Sequence, residues 1–171
     1  GTGHQPTPMV LAGKALADIT RLIKGDRYRS RLISKIMFGA YNKRIKNVRT
    51  SNDWLTRDEA VVDEYNAGKL TTFLFTVNGY RGLMNMILYV RKPRNIAKIP
   101  KNLPMLMVSG LDDPVGEYGK GVYRAYNTYH GHIDDIDLRL FEDCRHELCN
   151  ELNKEEIYEE IYGWIMDHMN K

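Results

Sequence analysis

Serine is scarce in this 171-residue chain: Ser30, Ser34, Ser51 and Ser109 are its only serines. None stands in a Gly-x-Ser-x-Gly, so the strained strand-to-helix turn that presents a nucleophilic serine has no counterpart here. Cysteine is scarcer still. Cys144 and Cys149 lie five apart, which is neither a metal-ligand nor a redox spacing, and two thiols make no disulfide scaffold. The expected setting is a reduced cytoplasm. No apolar run approaches the ~18 residues that cross a bilayer. The opening Gly1-Thr2-Gly3-His4-Gln5-Pro6 has neither the charged start nor the apolar core of a signal peptide. It also has no initiating methionine, and the expectation is a chain that begins inside a longer protein. No internal repeat and no low-complexity tract is visible.

What is present is globular in composition: 43% hydrophobic and 27% charged residues, which argues against disorder. The length suits one ordinary domain or a large piece of a bigger one. The net charge of +3 hides an asymmetry. Residues 1–110 hold 19 Lys and Arg against 7 Asp and Glu; residues 111–171 hold 6 against 15. A basic half can serve an anionic partner. The cations are spread over several helices, however, and not interleaved with aromatics in a stripe. No nucleic acid is therefore expected, and the two halves are expected to complement each other within one fold.

The first hundred residues read as helical. Val10, Leu11, Ala15, Leu16, Ile19, Leu22 and Ile23 recur at three-four spacing, giving a helix over 9–23 with one apolar face. Gly25-Asp26 ends it. Residues 29–38 form a second, shorter amphipathic stretch. Thr56-Arg57-Asp58-Glu59 has the form of a capping box opening a third helix through Val61, Val62 and Tyr65. A longer apolar helix is predicted over 71–89, interrupted by Gly79 and Gly82, and residues 93–104 read as a linker. Then the pattern changes. Residues 104–109 are a short apolar strand with nothing polar inside, the mark of burial on both faces. Residues 118–129 read as a helix, and 135–141 alternate as a strand. Asn153-Lys154-Glu155-Glu156 opens a final helix carrying Ile157, Ile161, Trp164 and Ile165. The fold class is α/β, a βαβα ending on a mostly parallel sheet. Two strands are too few for such a sheet. Further strands are expected upstream, and the open edge is expected to favour dimerisation or aggregation.

Each strand is followed by a polar cluster at its carboxyl end, where open α/β sheets place their sites. The first is Gly110-Leu111-Asp112-Asp113-Pro114; the second is Asp143-Cys144-Arg145-His146-Glu147. An acid after one strand and a histidine after the next can form the acid–base pair of a Ser-His-Asp triad. The residues alone leave Asp112 and Asp113 as competing acids. His146 would take the proton from serine and return it to the leaving group. The chain thus reads as the downstream part of a serine hydrolase without its nucleophile. Other features are read structurally. His130-Gly131-His132 has no third metal ligand nearby and is taken as a polar loop. Gly116-x-x-Gly119-x-Gly121 is not a dinucleotide pattern and is taken to start a helix close to the sheet. Cys144 is taken as packing. No cofactor and no metal is expected.

Several segments carry a resemblance: Gly1 to Pro6, Asp53-Trp54-Leu55-Thr56-Arg57-Asp58, Phe73-Leu74-Phe75-Thr76-Val77-Asn78-Gly79, Gly110 to Gly116, and Arg145-His146-Glu147. In these the chain resembles bacterial α/β-hydrolases of the lysophospholipase, monoacylglycerol lipase and serine-aminopeptidase-like group, over nearly its whole length. The resemblance implies the C-terminal part of an α/β-hydrolase fold with a helical cap. Residues 1–7 would end a sheet strand, the sixth, and enter the cap; 8–95 would be the cap; 96–171 would be the C-terminal core. It implies Asp113, the third residue after the strand-ending glycine, as the acid and His146 as the base. The family's serine and oxyanion-hole residues have no counterpart and would lie upstream.

Two functions of different class follow. One is the cap and C-terminal part of a hydrolase of lipid-like carboxylic esters, of lysophospholipid or monoacylglycerol type, inactive without its upstream segment. The many methionines of the cap would suit an adaptable apolar site for an acyl chain. The alternative is a non-catalytic helical binding module that uses its basic N-terminal half on an anionic partner.

Overall fold

A computed structural model describes residues 4–169. The expectation that Gly1 to Gly3 follow a sheet strand lies outside the described residues. Five helices precede two strands: α1 (Thr7–Lys24), α2 (Arg31–Phe38), α3 (Glu59–Ala67), α4 (Val77–Val90) and the single turn α5 (Pro93–Ile96). Then come β1 (Met105–Gly110), α6 (Lys120–His130), β2 (Ile136–Phe141), a 3-10 turn (Leu148–Asn150) and α7 (Lys154–Met169).

Local chemistry sets most of the boundaries. Gly25 ends α1 at φ 84°, its N–H bonded to Arg21 O, a backbone conformation that glycine adopts without a Cβ penalty. Ser30 caps α2 by accepting the Ile33 N–H at 3.2 Å. The cap of α3 is Asp58, whose carboxylate accepts the Ala60 N–H at 3.0 Å. The capping-box reading thus chose the wrong residue. Thr56 is buried; its hydroxyl donates to Asn150 O at 2.7 Å and accepts the Asp58 N–H at 3.1 Å, short of the helix, whose first free N–H groups turn to the Asp58 carboxylate. The helix expected over 71–89 begins only at Val77. Thr71 and Thr72 turn their hydroxyls back onto Gly68 O, and Thr76 caps α4 through the Gly79 N–H. Threonine hydroxyls here offer the backbone a local alternative to the helix. The Arg29–Thr76 bridge and the Val77 N–H to Tyr28 O bond then tie the start of α4 to the α1–α2 turn.

The helical half has its own core of Ala17, Ile33, Val77 and Tyr80, with Leu16, Met37 and Phe38 against it. Helix α1 packs on α4 through small residues: a Cβ on Gly13 would stand 2.8 Å from Met84 Cε. Close approach on that side leaves Ile19, Leu22 and Ile23 exposed. The apolar face read from the three-four spacing is therefore mostly not the buried one.

The strands pair in parallel, Met105 with Ile136 through Gly110 with Phe141. Neighbours along β1 point to opposite faces. Met107 packs with Ala125 of α6, Ile133 and Ile136. Val108 packs against the cluster of Cys144, Leu148 and Ile157 of α7. Helices thus cover both faces of the ribbon, and each fully buried aliphatic side chain contributes ~1.5–3 kcal/mol. Both polar clusters emerge at the carboxyl ends of β1 and β2, which the parallel register puts side by side.

Candidate active site

The carboxyl end of β1 meets the loop after β2 at Gly110. A Cβ there would lie 2.0 Å from Cys144 O and 2.4 Å from Arg145 O, so only glycine lets the two backbones pass. The Asp112 N–H donates to Cys144 O at 2.9 Å and fastens the crossing. Asp143, at φ 54°, makes the bend that feeds the second loop.

Asp113 is fully buried. One carboxylate oxygen accepts the Val115 N–H at 2.8 Å. The other, Oδ2, lies 3.0 Å from His146 Nδ1, and the Ser109 hydroxyl approaches it at 3.5 Å. A carboxylate on Nδ1 makes that nitrogen the N–H donor and leaves Nε2 with the lone pair. Among the described residues, none bonds Nε2. Asp112 is exposed. Beyond Asp113 the chain runs through Glu117, Tyr118 and Gly119 at φ 52°, 56° and 86°. Gly119 begins α6, and a Cβ on Gly121 would stand 3.0 Å from Gly116 O, so this glycine-rich stretch starts a closely packed helix.

Residues 53–57 flank the histidine, a contact that periodicity and spacing did not reveal. The Trp54 ring packs on His146 at 5.1 Å between centroids, and Tyr41 meets Trp54 edge-on at 4.9 Å. Burial, and then the nearby Asp113 carboxylate, push the Tyr41 hydroxyl above its ordinary range, so it stays a neutral donor. Burial also raises the Tyr118 hydroxyl, against the pull of Arg44, whose guanidinium sits 3.6 Å over the Tyr118 ring. On the far side of Trp54 a cleft of about 790 Å³ opens among the helices, lined by Phe38, Trp54, Tyr65, Phe73, Phe75 and Tyr80. His146 does not line it; Trp54 is the wall they share.

The remaining sequence candidates fall elsewhere. His132 Nε2 bonds Ile99 O at 2.7 Å and His130 lies against Tyr126. Ser30 is a helix cap. Burial, then the neighbouring Glu151, raise the Cys144 thiol, which fits a packing role. Asp135, Asp137 and His168 bring ligating atoms within 4.8 Å of one another at the other end of β2. They are partnered internally, His168 by Asp135 at 3.3 Å and Asp137 by the Trp164 N–H at 2.7 Å. No helix among the described residues is long and apolar enough to cross a membrane.

No curated protein sequence matches the chain. Solved structures do. A thermostable carboxyl esterase from Bacillus coagulans, in complex with glycerol, superposes with a TM-score of 0.81 at 20% identity, over 98% of this chain and 54% of its own. A lipase in an open form gives 0.81 at 22% identity, over 98% and 55%. A Paleococcus ferrophilus monoacylglycerol lipase gives 0.62 at 17%, over 98% and 55%. This chain spans about half the length of these proteins, and it has the fold of the C-terminal part of an α/β-hydrolase. With Asp113 and His146 both inside the matched region, residues 5–153 fit the family model for the serine aminopeptidase, S33 group (Hydrolase_4), and the chain belongs to that family.

Proposed function

We propose that this chain supplies the acid and the base of a Ser-His-Asp triad in a hydrolase of lipid-like carboxylic esters, of lysophospholipid or monoacylglycerol type. The nucleophilic serine and the oxyanion donors lie in the part of the fold that this chain does not span. Residues 8–95 act as the helical cap and residues 96–171 as the C-terminal core. The setting is the reducing cytoplasm, consistent with Cys144 and Cys149 being unpaired.

The observation that carries this reading is the 3.0 Å contact of Asp113 Oδ2 with His146 Nδ1. It orients the ring so that Nε2 can accept the serine proton, and a buried carboxylate stabilises the imidazolium that forms. His146 then returns the proton to the leaving alkoxide. The aromatic cleft that shares Trp54 with the base offers an acyl chain apolar surface within the cap. The esterase and lipase neighbours support an ester as the bond cleaved.

The test is hydrolysis of p-nitrophenyl esters of graded acyl length. This chain alone is expected to give background rates, since a base without a hydroxyl to deprotonate forms no acyl-enzyme. Supplying the missing part of the fold, in one chain or as a second polypeptide, should restore turnover that a serine-directed phosphonate abolishes. His146-dependent hydrolysis by the isolated chain would overturn the assignment of the nucleophile.

A further inference from the structure

We propose that Glu151, together with Arg57, is a positioning residue for His146. Its buried carboxylate locks the loop that carries the histidine onto residues 53–57. This rests on the reading of His146 as the base.

Glu151 is fully buried. Desolvating a carboxylate costs several kcal/mol, so an anion in such a place needs several good partners. Glu151 has them. One oxygen accepts the N–H of Arg145, the residue just before His146, at 2.7 Å. The other takes Arg57 Nε at 2.8 Å, and the Arg57 backbone N–H lies 3.3 Å from both. A single side chain thus bridges the two segments that meet at the histidine.

Further bonds bracket His146 on each side. The Glu147 N–H donates to Leu55 O at 2.7 Å, and the His146 N–H reaches Trp54 O at 3.4 Å. Arg145 Nη1 donates to Asp53 O at 2.7 Å and to Thr56 O at 3.0 Å. Arg57 Nη2 donates to Asn153 Oδ1 at 2.7 Å. The backbone before, at and after His146 is therefore held to residues 53–57. An apolar residue could fill the volume of Glu151 but could not accept N–H groups from both segments. Without it the N–H groups of Arg145 and Arg57 lose their shared acceptor, the hold on the backbone just before His146 weakens, and the ring can swing off Asp113.

The measurement is NMR of the 171-residue chain, following the His146 Nδ1–H proton, which a carboxylate partner moves far downfield and shields from water. Glu151→Gln keeps the shape but leaves one acceptor oxygen where two were used. Its exchange with water should speed about tenfold or more, the equivalent of ~1.4 kcal/mol in local opening. Arg57→Ala should shift it in the same direction, with Arg57→Lys in between. Far-UV circular dichroism should stay that of the parent chain. Wild-type protection in folded Glu151→Gln and Arg57→Ala would overturn the proposal. If Glu151→Gln does not fold, the partly exposed Arg57 carries the test; loss of folding in both would overturn it too, by making the pair a general fold determinant. Asp113→Asn is the separate control. A downfield proton that survives it would sink the acid assignment and leave the clamp measurement standing.

Discussion

Asp113 Oδ2 and His146 Nδ1, 33 positions apart in sequence, meet at 3.0 Å, while the other oxygen of Asp113 is held by the Val115 N–H at 2.8 Å. One carboxylate oxygen thus fixes the carboxyl group and the other fixes the ring. Asp112, one residue earlier, is exposed. In a protein that also carries the serine, Asp113→Asn should lower kcat by ~10³–10⁴-fold, because an amide cannot hold the required tautomer. Asp112→Asn should change it by no more than about twofold, the range of an ordinary surface substitution. Equal losses in the two variants would contradict the assignment.

Gly110 and Gly163 should respond oppositely to alanine. At Gly110 the added methyl would meet the backbone oxygens of Cys144 and Arg145 at 2.0 and 2.4 Å, and backbone cannot give way as a side chain can. Gly110→Ala should cost about 3 kcal/mol or more. Gly163 lies in the exposed interior of α7 with nothing within 4 Å, so Gly163→Ala should stabilise by ~0.5–1 kcal/mol. Urea unfolding midpoints of the two variants check both signs.

Acid should weaken the loop that precedes α3. Burial pushes the Asp53 carboxyl up, but the Thr50 hydroxyl and the N–H groups of Arg49 and Thr50 together hold it below the ordinary carboxylate range. A folded pKa below the unfolded one means that this stabilisation is fully present above the unfolded value and is lost as pH falls through the folded one. Asp53→Asn should therefore destabilise by about 1–3 kcal/mol at neutral pH. The difference from the parent chain should shrink below pH ~4 and vanish once Asp53 is protonated. Thermal unfolding at stepped pH measures it, and a pH-independent difference would count against the mechanism.

The two cysteines should label unequally. Cys149 is exposed and Cys144 fully buried, with its thiol raised by burial. Iodoacetamide at mildly alkaline pH should modify Cys149 in the folded chain and Cys144 only after denaturation, because the thiolate is the reacting species. Mass spectrometry of tryptic peptides distinguishes the two.

Much of the fold was legible locally. Apolar spacing marked α1, α2 and α7, and the unbroken apolar run marked β1, because these signals are set by helix and strand geometry within a few residues. The order of strand, acid, helix, strand, histidine was legible for the same reason. The residues alone left Asp112 competing with Asp113; the family resemblance favoured Asp113. Only the tertiary structure decided which carboxylate is buried against the ring, since that depends on where the loop after β2 crosses Gly110. It decided too that α1 packs through Gly13 and Ala17 and leaves Ile19, Leu22 and Ile23 exposed. It moved the cap of α3 from Thr56 to Asp58, because the bond to Asn150 O, far along the chain, holds Thr56 where its hydroxyl meets the Asp58 N–H and not those of the helix. Glu151 is the clearest case. In sequence it is one acid among the 15 of an acidic half. Its role comes from N–H donors on Arg57 and Arg145, 94 and 6 residues away, and no local pattern encodes a meeting of segments that distant.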